Sequence, residues 1–178
     1  MTSLDPIPPD DVMRRLTLAN PNDPGLTHLV VGSNTYTILV HGDDTAGRYA
    51  LIDMLVPASG GPPPHRHDFE EMFHVLDGEI EVVIRGETSK ASAGETVNIP
   101  ALAPHSFRNP SDRPARLLCL VAPAGLEAYF AEFADRVPSR TSPPPQLSQD
   151  EISTRIELSI ALAPKYRIQV LAAPGTAA

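Results

Sequence analysis

Three histidines and one glutamate are the residues of this chain best suited to chemistry. The stretch Pro64-His65-Arg66-His67-Asp68-Phe69-Glu70-Glu71 carries three of them. The fourth, His105, follows about forty residues later in Pro100-Ala101-Leu102-Ala103-Pro104-His105. His65, His67 and Glu71 share a parity, so on an extended strand they point to one side. A neighbouring strand carrying His105 would bring three imidazoles and one carboxylate to a point. That mixed nitrogen and oxygen set suits one divalent first-row metal: Fe, Mn, Ni, Co, Cu or Zn. Parity removes Arg66 and His74 from the set. It adds Phe73 and Val75 on the first strand and Phe107 on the second as apolar lining. A polar centre in an apolar wall is the usual make-up of a small-molecule site.

The elements that must position these side chains read as strands. His28–Val31, Thr35–Val40, Arg48–Val56, Glu70–Leu76, Glu79–Ile84, Thr88–Ala91, Thr96–Ile99, His105–Asn109 and Ala115–Val121 are short apolar or β-branched runs. Turn-forming residues separate them, including Gly32-Ser33-Asn34, Asp77-Gly78, Arg85-Gly86 and Ala93-Gly94. Asp77-Gly78 reads as a two-residue hairpin turn. The Pro- and Gly-rich segment 57–64 reads as a rigid loop that delivers the first two histidines. Many short strands at regular spacing predict an all-β fold, closed or sandwiched.

The ends of the chain differ in pattern. Residues 1–27 form an N-terminal arm with a helical turn or two expected between Asp10 and Leu18, packed on the main domain. Residues 28–122 form the β domain. Residues 123–178 form a helical extension and tail. Within it, Leu126, Tyr129, Phe130 and Phe133 fall at helical spacing over Gly125–Arg136. Ser148-Gln149-Asp150-Glu151 is a capping box that opens a second helix to about Ala161. Residues 165–178 read as a loosely docked tail. Tyr129 and Phe130 are candidates to roof the site.

Composition bounds the class of function. The chain has 178 residues and a formal net charge of −8. Its only lysines are Lys90 and Lys165. That balance argues against nucleic acid and against anionic membrane surfaces as partners. No stretch approaches the ~20 apolar residues of a membrane helix. The start, Met1 to Pro6, lacks a basic segment followed by an apolar run, so no signal peptide is expected. The single cysteine, Cys119, sits in the apolar run Leu117–Val121 and reads as a buried hydrophobe. With no disulfide possible within the chain, cytoplasmic residence is expected. Apolar residues such as Met72 and Val83 on an outer sheet suggest a homodimer about a two-fold axis.

The spacing of the four residues, with the glycines and prolines around them, resembles the two motifs of the cupins. His65, His67, Glu71 and Gly78 match the first motif. Gly94, Pro100, His105 and Asn109 match the second. Two positions depart. Where the family has five residues between a leading glycine and the first histidine, four separate Gly60 from His65. The inner glycine of the second motif is Leu102, which would then sit near the mouth of the site and join Phe73, Val75 and Phe107 in the pocket. The resemblance implies a jelly-roll β-barrel over residues 28–122, with His65, His67, Glu71 and His105 as metal ligands.

Single-domain cupins with this ligand set look like quercetin-type dioxygenases, in which the carboxylate ligand also takes the substrate proton. The resemblance therefore implies a dioxygenase that uses dioxygen on a flavonol-like or other small enolisable substrate, with Glu71 as catalytic base. Two alternatives follow from the same fold. One is a redox-neutral lyase, isomerase or decarboxylase, in which the metal is only a Lewis acid. A sugar-phosphate isomerase among these would need a basic cradle, to which Arg48, Arg108 or Arg116 could contribute. The other is a non-catalytic small-molecule-binding protein, disfavoured by the lack of a helix-turn-helix pattern.

Overall fold

The computed structural model describes residues 7–172. In chain order the strands begin with β1 (Thr27–Val31), β2 (Asn34–Val40), β3 (Ala50–Val56) and β4 (His65–His67). Then come β5 (Glu70–Asp77), β6 (Glu79–Ile84), β7 (Glu87–Ser92), β8 (Thr96–Ile99), β9 (His105–Arg108) and β10 (Ala115–Ala122). The C-terminal part adds α1 (Leu126–Phe133), β11 (Asp135–Arg136), α2 (Gln149–Leu162) and β12 (Ile168–Val170). Hydrogen bonding divides the strands into two antiparallel sheets. The larger runs β11-β1-β2-β3-β10-β5-β8 and the smaller β12-β4-β9-β6-β7.

The inner faces of both sheets share one core. Strict alternation builds it: β10 buries Ala115, Leu117, Cys119 and Val121 and leaves the residues between them half-exposed. Phe73 and Val75 on β5 and Ile80 on β6 are fully buried with them. Such period-two burial is what a sheet with one covered face requires.

Arg85-Gly86 joins β6 and β7 as a two-residue hairpin, with φ of 51° and 88°. Paired positive φ values are those of a type I′ turn, which matches the twist of the strands it connects. Asp77-Gly78 does something else. Its flanking strands belong to different sheets, β5 beside β10 and β8, β6 beside β7 and β9. The expected hairpin there is a crossing between sheets. Gly78 allows it because φ is 76° and a Cβ would press on Ala115 Cα at 3.0 Å.

The two ends depart from their sequence reading. No helix forms between Asp10 and Leu18, only a single hydrogen-bonded turn in which Arg14 N–H donates to Asp11 O at 3.0 Å. Val12, Met13, Leu16 and Leu18 are 80–93% exposed, so these apolar side chains do not pack on the domain, although Arg14 donates to Asp44 O at 2.6 Å. The first C-terminal helix stops at Phe133 rather than Arg136, because Asp135–Arg136 leave it to pair with β1. The segment read as a loose tail contains β12, which pairs with β4. Residues 1–6, where a signal peptide was not expected, and 173–178 of the tail lie outside the described residues. No helix among the described residues is long and apolar enough to cross a membrane. Met72 and Val83 lie on strands of different sheets, so they do not form one apolar face.

Candidate metal centre

Each of the four residues is placed by its own local device. His65 and His67 lie on β4, which pairs on one side with β9 and on the other with β12. His65 stands directly opposite His105. The chain then crosses sheets within Asp68 and Phe69, so Glu71 reaches the same point from β5 of the larger sheet. The expectation that Glu71 shares one strand face with the histidines is thus replaced. Three ligand candidates come from the smaller sheet and one from the sheet facing it.

Asn109, at the end of the second motif, holds the loop before β4. Its amide donates to Val56 O at 3.0 Å and Arg113 O at 2.6 Å. Its backbone exchanges hydrogen bonds with Ser59 and Gly60. Gly61 completes the approach, since a Cβ there would collide with the carbonyl of Phe107.

One ligand atom from each of His65, His67, Glu71 and His105 lies within 4.8 Å of the others. His67, Glu71 and His105 are 3–5% exposed. All three rings are held the same way: Nδ1 donates to a backbone carbonyl two residues away. His65 uses Pro63 O, His67 uses Phe69 O and His105 uses Ala103 O, each at 2.9 Å. A proton fixed on Nδ1 leaves the Nε2 lone pair of a neutral imidazole free, as in metal-binding histidines. The Phe69 ring stacks flat on His67 at 3.9 Å between centroids and fixes its plane.

Nε2 of His67 and Nε2 of His105 each lie 3.2 Å from Oε2 of Glu71. Neutral nitrogens and an ionised oxygen then present lone pairs to one another, an arrangement a cation turns from repulsion into coordination. Two donors each about 2.1 Å from an ion and roughly at right angles stand about 3 Å apart, so these separations fit a divalent metal.

Electrostatics follow the same geometry. Burial works against ionisation of Glu71; positive charge beside its Oε2, whether a second proton on the His105 or His67 imidazole or a cation between them, outweighs burial and holds the carboxyl well below its usual range. Burial lowers the His65 imidazole to about 4, and the neighbouring His105 adds to the shift. Burial, with the charge of Glu71 next, pushes the Cys119 thiol well above its ordinary value. Cys119 is fully buried as expected, but it is more than filler: its Sγ lies 3.6 Å from Glu71 Oε1. Glu71 therefore turns one oxygen to the imidazoles and the other to a protonated thiol.

A cavity of about 470 Å³ opens on this centre. His65, His67 and Glu71 form part of its wall, and α1 and α2 cover it with Tyr129, Phe130, Phe133, Ile156 and Ile160. Of the four expected pocket residues, Phe107 lines it. Phe73 and Val75 do not: they are fully buried, with Phe73 packed edge-on against Phe107 at 5.0 Å behind the wall. Leu102 points out and is 57% exposed. Its backbone N–H instead donates to His67 O at 2.7 Å, steadying the ligand strand.

Tyr129 and Phe130 do roof the cavity. Asn34 and Tyr36 on β2 also line it and were not read from the sequence. By composition Asn34 reads as part of the Gly32-Ser33-Asn34 turn. Its parity with Tyr36 and Ile38 was the available signal.

The remaining polar residues serve other ends. His28 hydrogen-bonds to Thr37 Oγ1 and Asp23 O. His74 bonds to Thr96, and Arg66 to Gln169. Glu70 accepts from the backbone of Ala101. Arg108 pairs with Glu81, and Arg116 with Asp53. None of the described residues lining the cavity is a lysine or arginine.

The chain is 26% identical over 133 residues to quercetin 2,3-dioxygenase of Bacillus subtilis, a match covering 74% of this chain and 39% of that enzyme. It is 37% identical over 60 residues to the polyketide synthase protein CurC of Streptomyces cyaneus, covering 33% of this chain and 39% of that protein. It therefore spans about two-fifths of the length of these two curated relatives. Among solved structures, the polyketide cyclase RemF of Streptomyces resistomycificus superposes with a TM-score of 0.55 at 22% identity. That likeness covers 83% of this chain and 99% of the other and speaks for the fold alone. Residues 52–121, which hold both motifs and all four metal-ligand candidates, match the family model of the cupin domain.

Proposed function

We propose that this chain is a cupin and a metal-dependent dioxygenase acting on a flavonol-like or other small enolisable substrate. The observation that carries the reading is the placement of the three-histidine, one-carboxylate cluster on an aromatic cavity of about 470 Å³. The sequence likeness to a quercetin 2,3-dioxygenase supports it. His65, His67, Glu71 and His105 would hold one divalent ion. When bound, that ion supplies Lewis acidity toward an enolate and, if redox-active, access to dioxygen.

The rest of the work falls to the chain. The backbone carbonyls of Pro63, Phe69 and Ala103 hold the imidazoles in one tautomer. Glu71, ionised when the centre carries a cation, is a proton acceptor in the required form at neutral pH. Its basicity rises as it turns away from the imidazoles toward a substrate hydroxyl. Phe107, Phe130 and Phe133 exclude water and present flat apolar faces to a ring. A phosphorylated substrate finds no cationic partner in this wall.

We also place the protein in the cytoplasm as a homodimer. The exposed Val12, Met13, Leu16 and Leu18 of the arm supply the apolar surface for a second copy that Met72 and Val83 do not.

The test is oxygen uptake by protein loaded in turn with iron, manganese, cobalt, nickel, copper or zinc, with a flavonol panel. Uptake with at least one redox-active metal and none with zinc is expected. No uptake with any metal ends the dioxygenase reading, and anaerobic turnover by the zinc form moves the protein to the redox-neutral lyases, isomerases and decarboxylases.

A further inference from the structure

The two oxygens of Glu71 have different surroundings. Oε2 lies 3.2 Å from Nε2 of both His67 and His105. Oε1 accepts from the Cys119 thiol, with Sγ at 3.6 Å. The larger radius of sulfur makes that a hydrogen-bond distance, although a thiol is a weak donor. Strand register explains the contact. Between β10 and β5, Val121 stands opposite Glu71 and Cys119 opposite Phe73. Cys119 is thus the diagonal neighbour of Glu71 on the inward face, within reach of a long side chain. The residues directly beside Glu71 in its sheet, Val121 and Ile99, are fully buried and have nothing to donate. The inward row of β10 is otherwise Ala115, Leu117 and Val121, so Cys119 is its one side chain with a polar hydrogen. Glu71 is itself only 5% exposed. A buried carboxylate oxygen without a donor is costly, and without one nothing in the sheet fixes its rotation.

We infer that Cys119 is a positioning residue of the candidate metal centre: its S–H holds Glu71 Oε1, so that Oε2 is the oxygen presented to the imidazoles of His65, His67 and His105. At neutral pH a thiol is below its ordinary titration range and keeps the proton this role needs. The bond strengthens when the centre carries a cation, because the acceptor is then ionised. A carboxylate that offers a single oxygen takes one position on an ion and leaves the others to water or substrate. Space-filling at position 119 could be met by any small apolar side chain, whereas positioning requires a donor. The inference rests on the reading of the four-residue cluster as a metal centre, but not on the reaction being oxidative.

The test is titration of the metal-free chain with cobalt(II), whose visible absorption reports the number and arrangement of its ligands. The variants are Cys119→Ala and Cys119→Ser. Both lose the sulfur and shrink the side chain, and only serine keeps a donor. A Cys119 that merely fills space predicts that the two behave alike, while positioning predicts a split. Cys119→Ala is expected to bind cobalt about tenfold more weakly than the wild type, with shifted absorption bands. Cys119→Ser is expected to keep the wild-type bands and most of the affinity. Cys119→Val, which restores volume without a donor, is expected to match Cys119→Ala and stands in for it if the smaller side chain lowers the melting temperature. Wild-type affinity and bands in the two apolar variants, or a serine variant that loses as much as alanine, overturns the assignment. In that case cobalt binding by the wild type leaves the metal centre intact and removes only the role of Cys119. A wild-type chain that binds no cobalt removes both.

Discussion

The floor and the roof of the cavity are built to different standards. In the floor, each histidine of the candidate metal centre is pinned by a carbonyl at 2.9 Å, and Phe73, Val75 and Cys119 behind it are fully buried. In the roof, α2 has no buried residue, and its Ile152, Ile156 and Ile160 are 37–53% exposed. The roof is tied down at a few points: the Arg155–Asp135 ion pair at 2.6 Å, Tyr129 O–H on Ser159 O at 2.9 Å, and β12 on β4. The difference separates two tasks. A metal site needs ligand positions fixed by packing and outer hydrogen bonds. A cover over a substrate needs only enough contact to close and little enough to open.

Truncations to alanine in the two parts should show this difference by the widest margin. Phe73→Ala in the floor should cost about 3–5 kcal/mol, as large core truncations do. Ile156→Ala in the roof should cost under about 1 kcal/mol because half its surface is already wet. Denaturant midpoints of the two variants measure both. Equal losses would mean that α2 is core and not cover.

Removing a ligand tests the floor's chemistry apart from its packing. Glu71→Gln keeps volume and loses the charge. Partners behind a ligand typically carry about 10–100-fold in metal affinity, so a direct ligand should exceed that. Metal content after dialysis, with circular dichroism unchanged, is the readout. Retained stoichiometric metal would take Glu71 out of the set.

The sequence showed the floor better than the roof, and the reason is locality. Alternation within β5, β9 and β10 is written in consecutive residues, so the inward positions of Glu71, Phe73, His105 and Phe107 could be read from parity alone. The capping box at Ser148 was likewise local and opened α2 at Gln149. Features that depend on a distant partner were lost. Asp77-Gly78 has hairpin composition, yet only the pairings of β5 and β6 reveal a crossing. β12 is three residues long and exists because β4 has a free edge. Asn34 was hidden because its side chain type suits a turn as well as a cavity wall. Val75 and Phe73 show the limit of parity: it gives the face, not the depth.

Acid should distinguish floor from roof by a smaller amount. His65 has its folded value lowered from 6.5 to about 4, so between those values the unfolded chain binds more protons. Stability without metal must then rise with pH across that window and fall as acid is added. At 1.36 kcal/mol per unit the ceiling is roughly 3 kcal/mol, and solvent at the half-buried ring reduces it to about 2. Urea midpoints of the metal-free protein at pH 7 and pH 4.5 should show this slope, and His65→Phe should flatten it. A wild-type slope that persists in His65→Phe would assign the acid sensitivity elsewhere.

The smallest expected effect concerns the two positions where the motifs lack their glycines. Placing five residues between the glycine position and His65 puts the first at Ser59, and the second is Leu102. Both adopt positive φ, 61° and 68°, so the backbone keeps the glycine conformation without the glycine. An L-residue there is strained by about 1–2 kcal/mol, partly offset by the greater freedom of glycine in the unfolded chain. Both segments hold the floor, Ser59 N–H to Asn109 O at 3.0 Å and Leu102 N–H to His67 O at 2.7 Å. Ser59→Gly and Leu102→Gly should each stabilise the protein by about 0.5–1 kcal/mol, with metal content unchanged. Destabilisation by Leu102→Gly would mean that its exposed side chain contacts something outside this chain, and would make the rim of the floor, rather than the roof, the place to look for a partner.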